Sequence, residues 1–421
     1  MNRYERYKDS GIPWLGEVPE HWEIVPIRHL FQFKNNLRVP LSAEERGKIV
    51  EKIYPYYGAS GIIDYVDNFI FDEDLILVAE DGANLLSRST PLAFIATGKY
   101  WVNNHAHILK PLSRIIKFWQ YLLQIYDFSP LISGSAQPKL TKDNLASILL
   151  PSPTVEEQTA IAHYLDTKLG EIDALIDKQQ TLLEKLAEQR TAVITHAVTK
   201  GLDPAAPMKK SGVEWLGDVP AHWEVCRLKD EVTFNDETLG DKTDLDYEIL
   251  YVDISNVSLN KGIIKKDLMT FENSPSRARR IVKNGDVIVS TVRTYLKAIT
   301  QIKNGEENLI VSTGFVVLRP RDSLLPKFLG YWVQAENMIG AIVANSVGVS
   351  YPAINASDLV RLPIVKLPME EQAAIADYLD TETDKIDRLC DTVNQTIGRL
   401  KEYRTALITQ AVTGKIKVTD E

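Results

Sequence analysis

Residues 10–23 of this chain read SGIPWLGEVPEHWE, and residues 211–224 read SGVEWLGDVPAHWE. A second pair follows: EEQTAIAHYLDTKLGEIDALI from Glu156 returns as EEQAAIADYLDTETDKIDRLC from Glu370. RTAVITHAVTKG from Arg190 is echoed by RTALITQAVTGK from Arg404. A long internal repeat means one structural unit used twice, usually about a pseudo-two-fold axis. The intervening stretches differ, since residues 31–135 share little with residues 232–349. Two like frames holding two unlike inserts point to a chain that contacts two different things at a set separation.

The strongest periodicity lies in the second repeated block. Ile172, Ile176, Gln179, Leu183, Leu186, Arg190, Val193 and Ala197 are spaced alternately four and three residues apart. Ile386, Cys390, Val393, Ile397, Leu400, Arg404, Leu407 and Ala411 repeat the spacing. This is the 3.5-residue period of a coiled-coil seam, and the natural partner of each helix is the other. Thr154 is placed to cap the first helix, with Glu156 and Glu157 in its opening turn, and Gly201 and Gly414 stand where C-terminal caps belong. A helix from about 155 to 199 is roughly 65 Å long. Arg190 and Arg404 break the apolar seam at equivalent places. Either each lays its stem along the seam and keeps its head wet, or the two fix register or bond a docking protein. Cys390 reads as a small apolar filler.

The inserts read as mixed α/β. DLILVA (74–79), AHILKP from Ala106, DVIVSTV (286–292) and FVVLRP from Phe315 have strand character, and FWQYLLQIY from Phe118 and KFLGYWVQAENM from Lys327 have helix character. Each insert closes alike, GSAQPKLTKDNL from Gly134 against GVSYPAINASDL from Gly348, so the inserts share a framework and differ in loops. Extra loop or strand falls in the second insert. DPAAPMKK (203–210) reads as a plain linker. Trp14, Trp22, Trp215 and Trp223 read as packing anchors, because a residue that reads a target should differ between halves that read different targets.

At 421 residues with 44% hydrophobic and 25% charged content, this is an ordinary globular composition large enough for more than one core. Two cysteines, Cys226 and Cys390, make no disulfide framework, and a reducing cytoplasm is the expected setting. MNRYERYKDS lacks the apolar core of a secretory signal, and no apolar run reaches the ~18 residues of a membrane span. The net charge of −9 argues against unaided nucleic-acid binding, so a nucleic-acid reader built on this chain would need help from a partner. There is no G-x-x-x-x-G-K-[ST] loop, no Asn-Pro-Pro-aromatic run and no glycine-rich cofactor loop after a strand. His105 and His107 alternate along a strand without further ligands in view, and Asp72, Glu73 and Asp74 read as solvated turn residues.

The duplicated WLG-x-VP-x-HWE block, the duplicated EEQ-x-AIA-x-YLD-T start and the R-T-A-x-I-T-x-AVT end resemble the specificity (S) subunit of type I restriction-modification systems over essentially the whole chain. The resemblance implies an α+β fold: two mixed α/β target recognition domains separated by two long antiparallel helices forming a coiled coil, with a pseudo-two-fold internal repeat. The expected boundaries are 1–30 for the first WLGEVPEHWE segment, 31–154 for recognition domain 1, and 155–200 for helix 1. Residues 201–230 form a linker and the second block, 231–367 recognition domain 2, 368–414 helix 2, and 415–421 a tail.

It further implies no catalysis in this chain. Each domain would read half of a bipartite asymmetric site in double-stranded DNA. The helical pair would set the spacer and dock modification (methyltransferase) subunits, two by the duplication, through the seam: Ile172, Ile176, Leu183, Leu186, Arg190, Ile386, Val393, Ile397, Leu400 and Arg404. S-adenosylmethionine, ATP and Mg would reside on partner subunits, a restriction subunit joining for translocation and cleavage. An adaptor carrying two protein-binding heads on a coiled coil fits the residues alone.

Side chains that reach base edges carry sequence information, while phosphate contacts set position. The candidates are Arg38, Arg88, Lys99, Asn103, Asn104, His105 and Lys139 in the first insert. In the second they are Arg277, Arg279, Arg280, Lys283, Arg293, Tyr295 and Lys297. The glycines at 134 and 348 would let backbone approach the target closely.

Overall fold

The computed structural model describes residues 3–82, 84–87, 90–134 and 138–418. Four helices frame it: α1 (Ile116–Ile125), α2 (Val155–Lys200), α3 (Pro326–Gln334) and α4 (Met369–Val412). The chain divides into two units, Met1–Gln179 with Gln395–Glu421, and Gln180–Asn394. Each unit therefore holds one insert and a stretch of both long helices.

The two inserts fold alike. In the first unit one four-stranded sheet runs Phe31–Phe33, Ala106–Pro111, Leu75–Ala79, Ala93–Ala96. In the second, Val232–Phe234, Phe315–Pro320, Val287–Ser290 and Ile299–Gln301 take the same order. A further four-stranded sheet in each carries one parallel pairing amid antiparallel ones, Trp101 opposite Tyr56 in the first and Tyr251 opposite Ile310 in the second. Leu75–Ala79 and Val287–Ser290 are buried at every residue, as strands covered on both faces must be. The inserts diverge between paired strands. A tight turn joins Tyr54–Gly58 to Gly61–Val66, whereas residues 253–266 join Glu248–Val252 to Asp267–Thr270 and form an added hairpin, Val257–Ser258 with Gly262–Ile263.

The repeated blocks fasten each insert to the long helices. Trp22 and Trp223 are fully buried, and their indole N–H groups donate to Glu157 (3.2 Å) and Glu371 (3.0 Å) in the first turns of α2 and α4. His21 and His222 reach the same carboxylates at 3.0 and 2.8 Å. Trp14 instead remains 40% exposed, edge-on to Tyr126, and Trp215 is half-buried against the second core, so the outer Trp of each block is a rim residue. Farther along the helices, Lys117 and Tyr121 of α1 grip Asp166 at 2.6 Å each, and Lys327 and Tyr331 of α3 grip Asp380 at 2.5 and 2.7 Å.

Within each unit the helices run antiparallel. In the second, Gly201 lies beside Glu371 while Arg190 donates to Asp387 (2.7 Å) and to the Thr383 carbonyl (3.4 Å). In the first, the end of α4 meets Trp22, which bonds the start of α2, while Arg404 donates to Asp173 (2.9 Å). Both seam arginines thus cross to the aspartate that follows the first seam isoleucine on the opposite helix. The seam side chains, Ile172, Ile176, Leu186, Ile386, Val393 and Ile397 buried and Leu183 and Leu400 half-buried, face inward, so a docking partner would meet other positions. Cys390 is only half-buried. Thr154 and Glu157 form a reciprocal cap, each backbone N–H bonded to the other's side chain. The first repeated block meets the residues after α4 in the first unit, where Lys415 donates to the Leu15 carbonyl (3.0 Å) and Tyr7 to the Gly414 carbonyl (3.1 Å).

Three local readings are corrected. Met208–Lys210, read as linker, is a strand paired with Asp218–Pro220, because the repeated block needs an edge partner just as Glu17–Pro19 pairs with Tyr7–Asp9. Glu73 is no solvated turn residue: Lys34 and Lys110 both pair with it, holding its carboxyl below the usual range. The helix expected from Lys327 through Met338 is broken at Ala335, which is extended, and resumes at Glu336–Ala344.

Candidate nucleic-acid interface

In each unit, the loop after the central strand packs on the closing Gly-x-x-x-Pro loop. In the first, the Gly82 N–H donates to the Pro138 carbonyl (3.2 Å) and Leu140 N–H to the Glu80 carbonyl (2.7 Å). In the second, Arg293 N–H donates to Pro352 (2.8 Å) and Ile354 N–H to Thr291 (2.9 Å). Glu80 therefore corresponds to Thr291, and Gly82 to Arg293. The same backbone frame carries different side chains in the two units.

The first unit gathers five candidates around Glu80 and Asp81. Arg38 is mostly buried, ion-paired to Glu80, and donates to the carbonyls of Asn104 (3.2 Å) and Ala106 (2.9 Å). Lys139 lies 3.3 Å from Glu80 with half its side chain in solvent. His105 reaches both Asp81 oxygens at 2.9 Å. Asn103 is buried and accepts the His105 N–H (2.8 Å), while Asn104 is exposed in the turn. Burial acts to raise the Glu80 carboxyl, but Arg38, His107 and Lys139 together hold it below its usual value. Arg38 thus builds the loop, whereas Asn104, His105 and Lys139 present polar groups to solvent. Lys99 lies at the far end of its strand over the Phe69 ring (4.7 Å), and Arg88 falls outside the described residues.

His105 and His107 do not share a face, because the strand starts only at Ala106. His107 is fully buried, accepts from the Asn35 amide (2.8 Å) and donates to the Leu140 carbonyl (2.8 Å). The second unit buries Val316 at this place: Val317 N–H bonds Asn235 there, as Ile108 N–H bonds Asn35. Burial pushes the His107 imidazole below its ordinary value, so the folded chain binds that proton less well than the unfolded chain. Stability from this group is complete above the unfolded value, near 6.5, and is lost as pH falls toward the folded value. Thermal melts at pH 7.5 and 5.5 should show this loss. His107→Val should flatten it, at a cost of about 1–3 kcal/mol at pH 7.5 from the stranded Asn35 and Leu140 groups.

The second unit gathers a different set. Arg293, Tyr295 and Lys297 are exposed on one turn, and the Thr294 hydroxyl ties it to Ser346 (3.0 Å). Arg277 is fixed by Asp253 and Tyr251 beside Thr313, whose N–H bonds the Arg277 carbonyl (2.8 Å). Arg279 lies over Phe271 (4.5 Å), Arg280 is half-buried, and Lys283 pairs with Glu237, so these three belong to other parts of the sheet. Tyr351, 65% exposed, was missed by searching for basic residues; its signal was its place beside Pro352 in the closing loop.

The family model described as type I restriction modification DNA specificity domain matches residues 19–185 and 220–399. The chain belongs to this family. Both matched segments begin in a repeated block and end in a long helix. The EcoDI specificity subunit of Escherichia coli is 21% identical over 95% of this chain and 90% of its own length. The MjaVIII specificity subunit of Methanocaldococcus jannaschii is 22% identical over 98% and 97%. A putative specificity subunit of Haemophilus influenzae, S.HindORF215P, is 34% identical over 34% of this chain, which spans only 36% of that relative. A chain of a solved type I R-M system shares the fold at a TM-score of 0.67 and 16% identity, covering 95% of this chain and 99% of its own. The HsdS subunit from Thermoanaerobacter tengcongensis does so at 0.51 and 16%, over 95% and 98%. Among the described residues no helix is long and apolar enough to cross a membrane.

Proposed function

We propose that each unit of this specificity subunit reads one half of a bipartite, asymmetric DNA target. The paired helices set the unread gap and dock the modification subunits, which bring S-adenosylmethionine; ATP and Mg enter with a restriction subunit. The observation that carries this reading is the duplicated frame with unlike loop ends, Glu80–Asp81–Gly82 against Thr291–Val292–Arg293 on matching backbone. The solved type I relative concerns complex assembly, which fits a chain of net charge −9 that gains its hold on DNA with partner subunits. Outward-facing Leu175 and Leu389, equivalent in the repeat and both exposed, are positions where two like partners would meet the helices.

The gap is tested by lengthening the helices. Four residues inserted after Gln179 and four after Asn394 keep the Arg190–Asp387 and Arg404–Asp173 bonds and add about 6 Å. At ~3.4 Å per base pair, the gap mapped by methylation should lengthen by one or two base pairs. An unchanged gap in an active complex overturns the spacer role.

A further inference from the structure

We propose that Arg293 and Tyr351 form the base reader of the second unit, Arg293 contacting a guanine in the major groove and Tyr351 positioning it. This inference rests on the DNA-reading function proposed above and names the base for one half of the target.

The first observation is conformational. Arg293 has φ +51°, in the left-handed region where a side chain is strained, and Lys297 on the same turn has φ +50°. In the first unit the equivalent position is Gly82, at φ +99°. The shared backbone thus calls for positive φ, which glycine supplies freely, yet the second unit places an arginine there. A strained non-glycine residue in a well-packed frame points to a use for its side chain.

The second observation is what that side chain does. The guanidinium lies over the Tyr351 ring, 4.8 Å from its centroid, and no carboxylate among the described residues ion-pairs with it. Arg38, Arg277 and Arg319 are each held by an acid instead. The Tyr351 ring packs against the guanidinium, and none of its side-chain N–H groups bonds a partner among the described residues. A planar fork with its edge presented is the group that pairs bidentately with guanine O6 and N7. Val347 and Val349 beside it are 80% and 102% exposed, apolar surface that a docked partner would cover.

The test uses the full complex with its modification subunits, measuring binding and methylation on the mapped target and on its single-base variants. Arg293→Gly places at a positive-φ position the residue that adopts positive φ without strain, as Gly82 does in the first unit, so it should fold at least as well as the parent. It should erase preference at one G·C pair of one half-site, a loss of roughly 5- to 150-fold in discrimination, and leave every other position unchanged. Arg293→Lys, a point charge in place of the fork, should lose most of the same preference. Tyr351→Phe should keep it, and Tyr351→Leu should relax it at that same pair. An unchanged preference in Arg293→Gly overturns the assignment, as does equal weakening on all sequences, the mark of a phosphate contact. If the parent complex methylates no bipartite site, the DNA-reading function fails, and that result is distinct from either.

Discussion

Replacing Trp223 with alanine should cost about 3–5 kcal/mol, and the same change at Trp22 a similar amount. Both indoles are fully buried, and each does two jobs. The ring fills the space between the repeated block and the start of a long helix. In the second unit it belongs to a core shared with Val198, Phe328, Ile375 and Leu379. The N–H satisfies a carboxylate, Glu371 or Glu157, that sits partly out of water. Truncation leaves a cavity and withdraws one donor from that acid. Typical stabilities are about 5–15 kcal/mol, so one such loss removes a large share of the stability of the unit concerned. Denaturant melts of single variants should show it. Tryptophan to phenylalanine, which keeps most of the volume but loses the bond, should cost only about 1–3 kcal/mol. Trp14→Ala, on the rim, should cost well under half as much as Trp22→Ala. If Trp22→Ala and Trp14→Ala melted alike, the block would not be the fastener described.

The features that were legible in the sequence are the ones that local chemistry sets. The seam spacing from Ile172 to Ala197 specifies a helix without reference to the rest of the chain, and the Thr154 and Gly201 caps mark its ends. The duplication also lets each reading be checked against its copy. Features set by long-range pairing were not legible. Nothing near Arg38 in sequence announces Glu80, 42 residues away, so a cation offered as a DNA contact proved to be part of the loop's foundation. Nor does the tail announce that Gly414 lies against Pro19 and Trp22, where a Cβ would come within 2.5 Å of the proline ring. The candidate interface was legible in part. Arg293, Tyr295 and Lys297 were found because basic and aromatic residues cluster locally. Tyr351 was not, because it reaches Arg293 only through the pairing of two loops, Val292 opposite Ala353.

The second large effect concerns modularity. Each insert has its own sheets, and the frame meets the first insert through Glu23–Pro26 paired with Leu149–Ser152. Exchanging residues 31–150 for the matching segment of another family member should therefore preserve that pairing, provided the donor supplies an apolar residue opposite Val25. The buried anchors Trp22, Leu165 and Leu169 remain in place to receive it. Each mismatched base pair in a protein–DNA site typically costs about 1–3 kcal/mol, so replacing a whole reader should abolish methylation of the parental site rather than dim it.

Sequencing the methylated motif of that hybrid in complex with its modification subunits tests the central claim most directly. The expected motif has a new half-site on the side read by the first unit, with the second half-site and the gap as in the parent. Change in both half-sites, or in neither, would contradict two unlike readers carried on one duplicated frame.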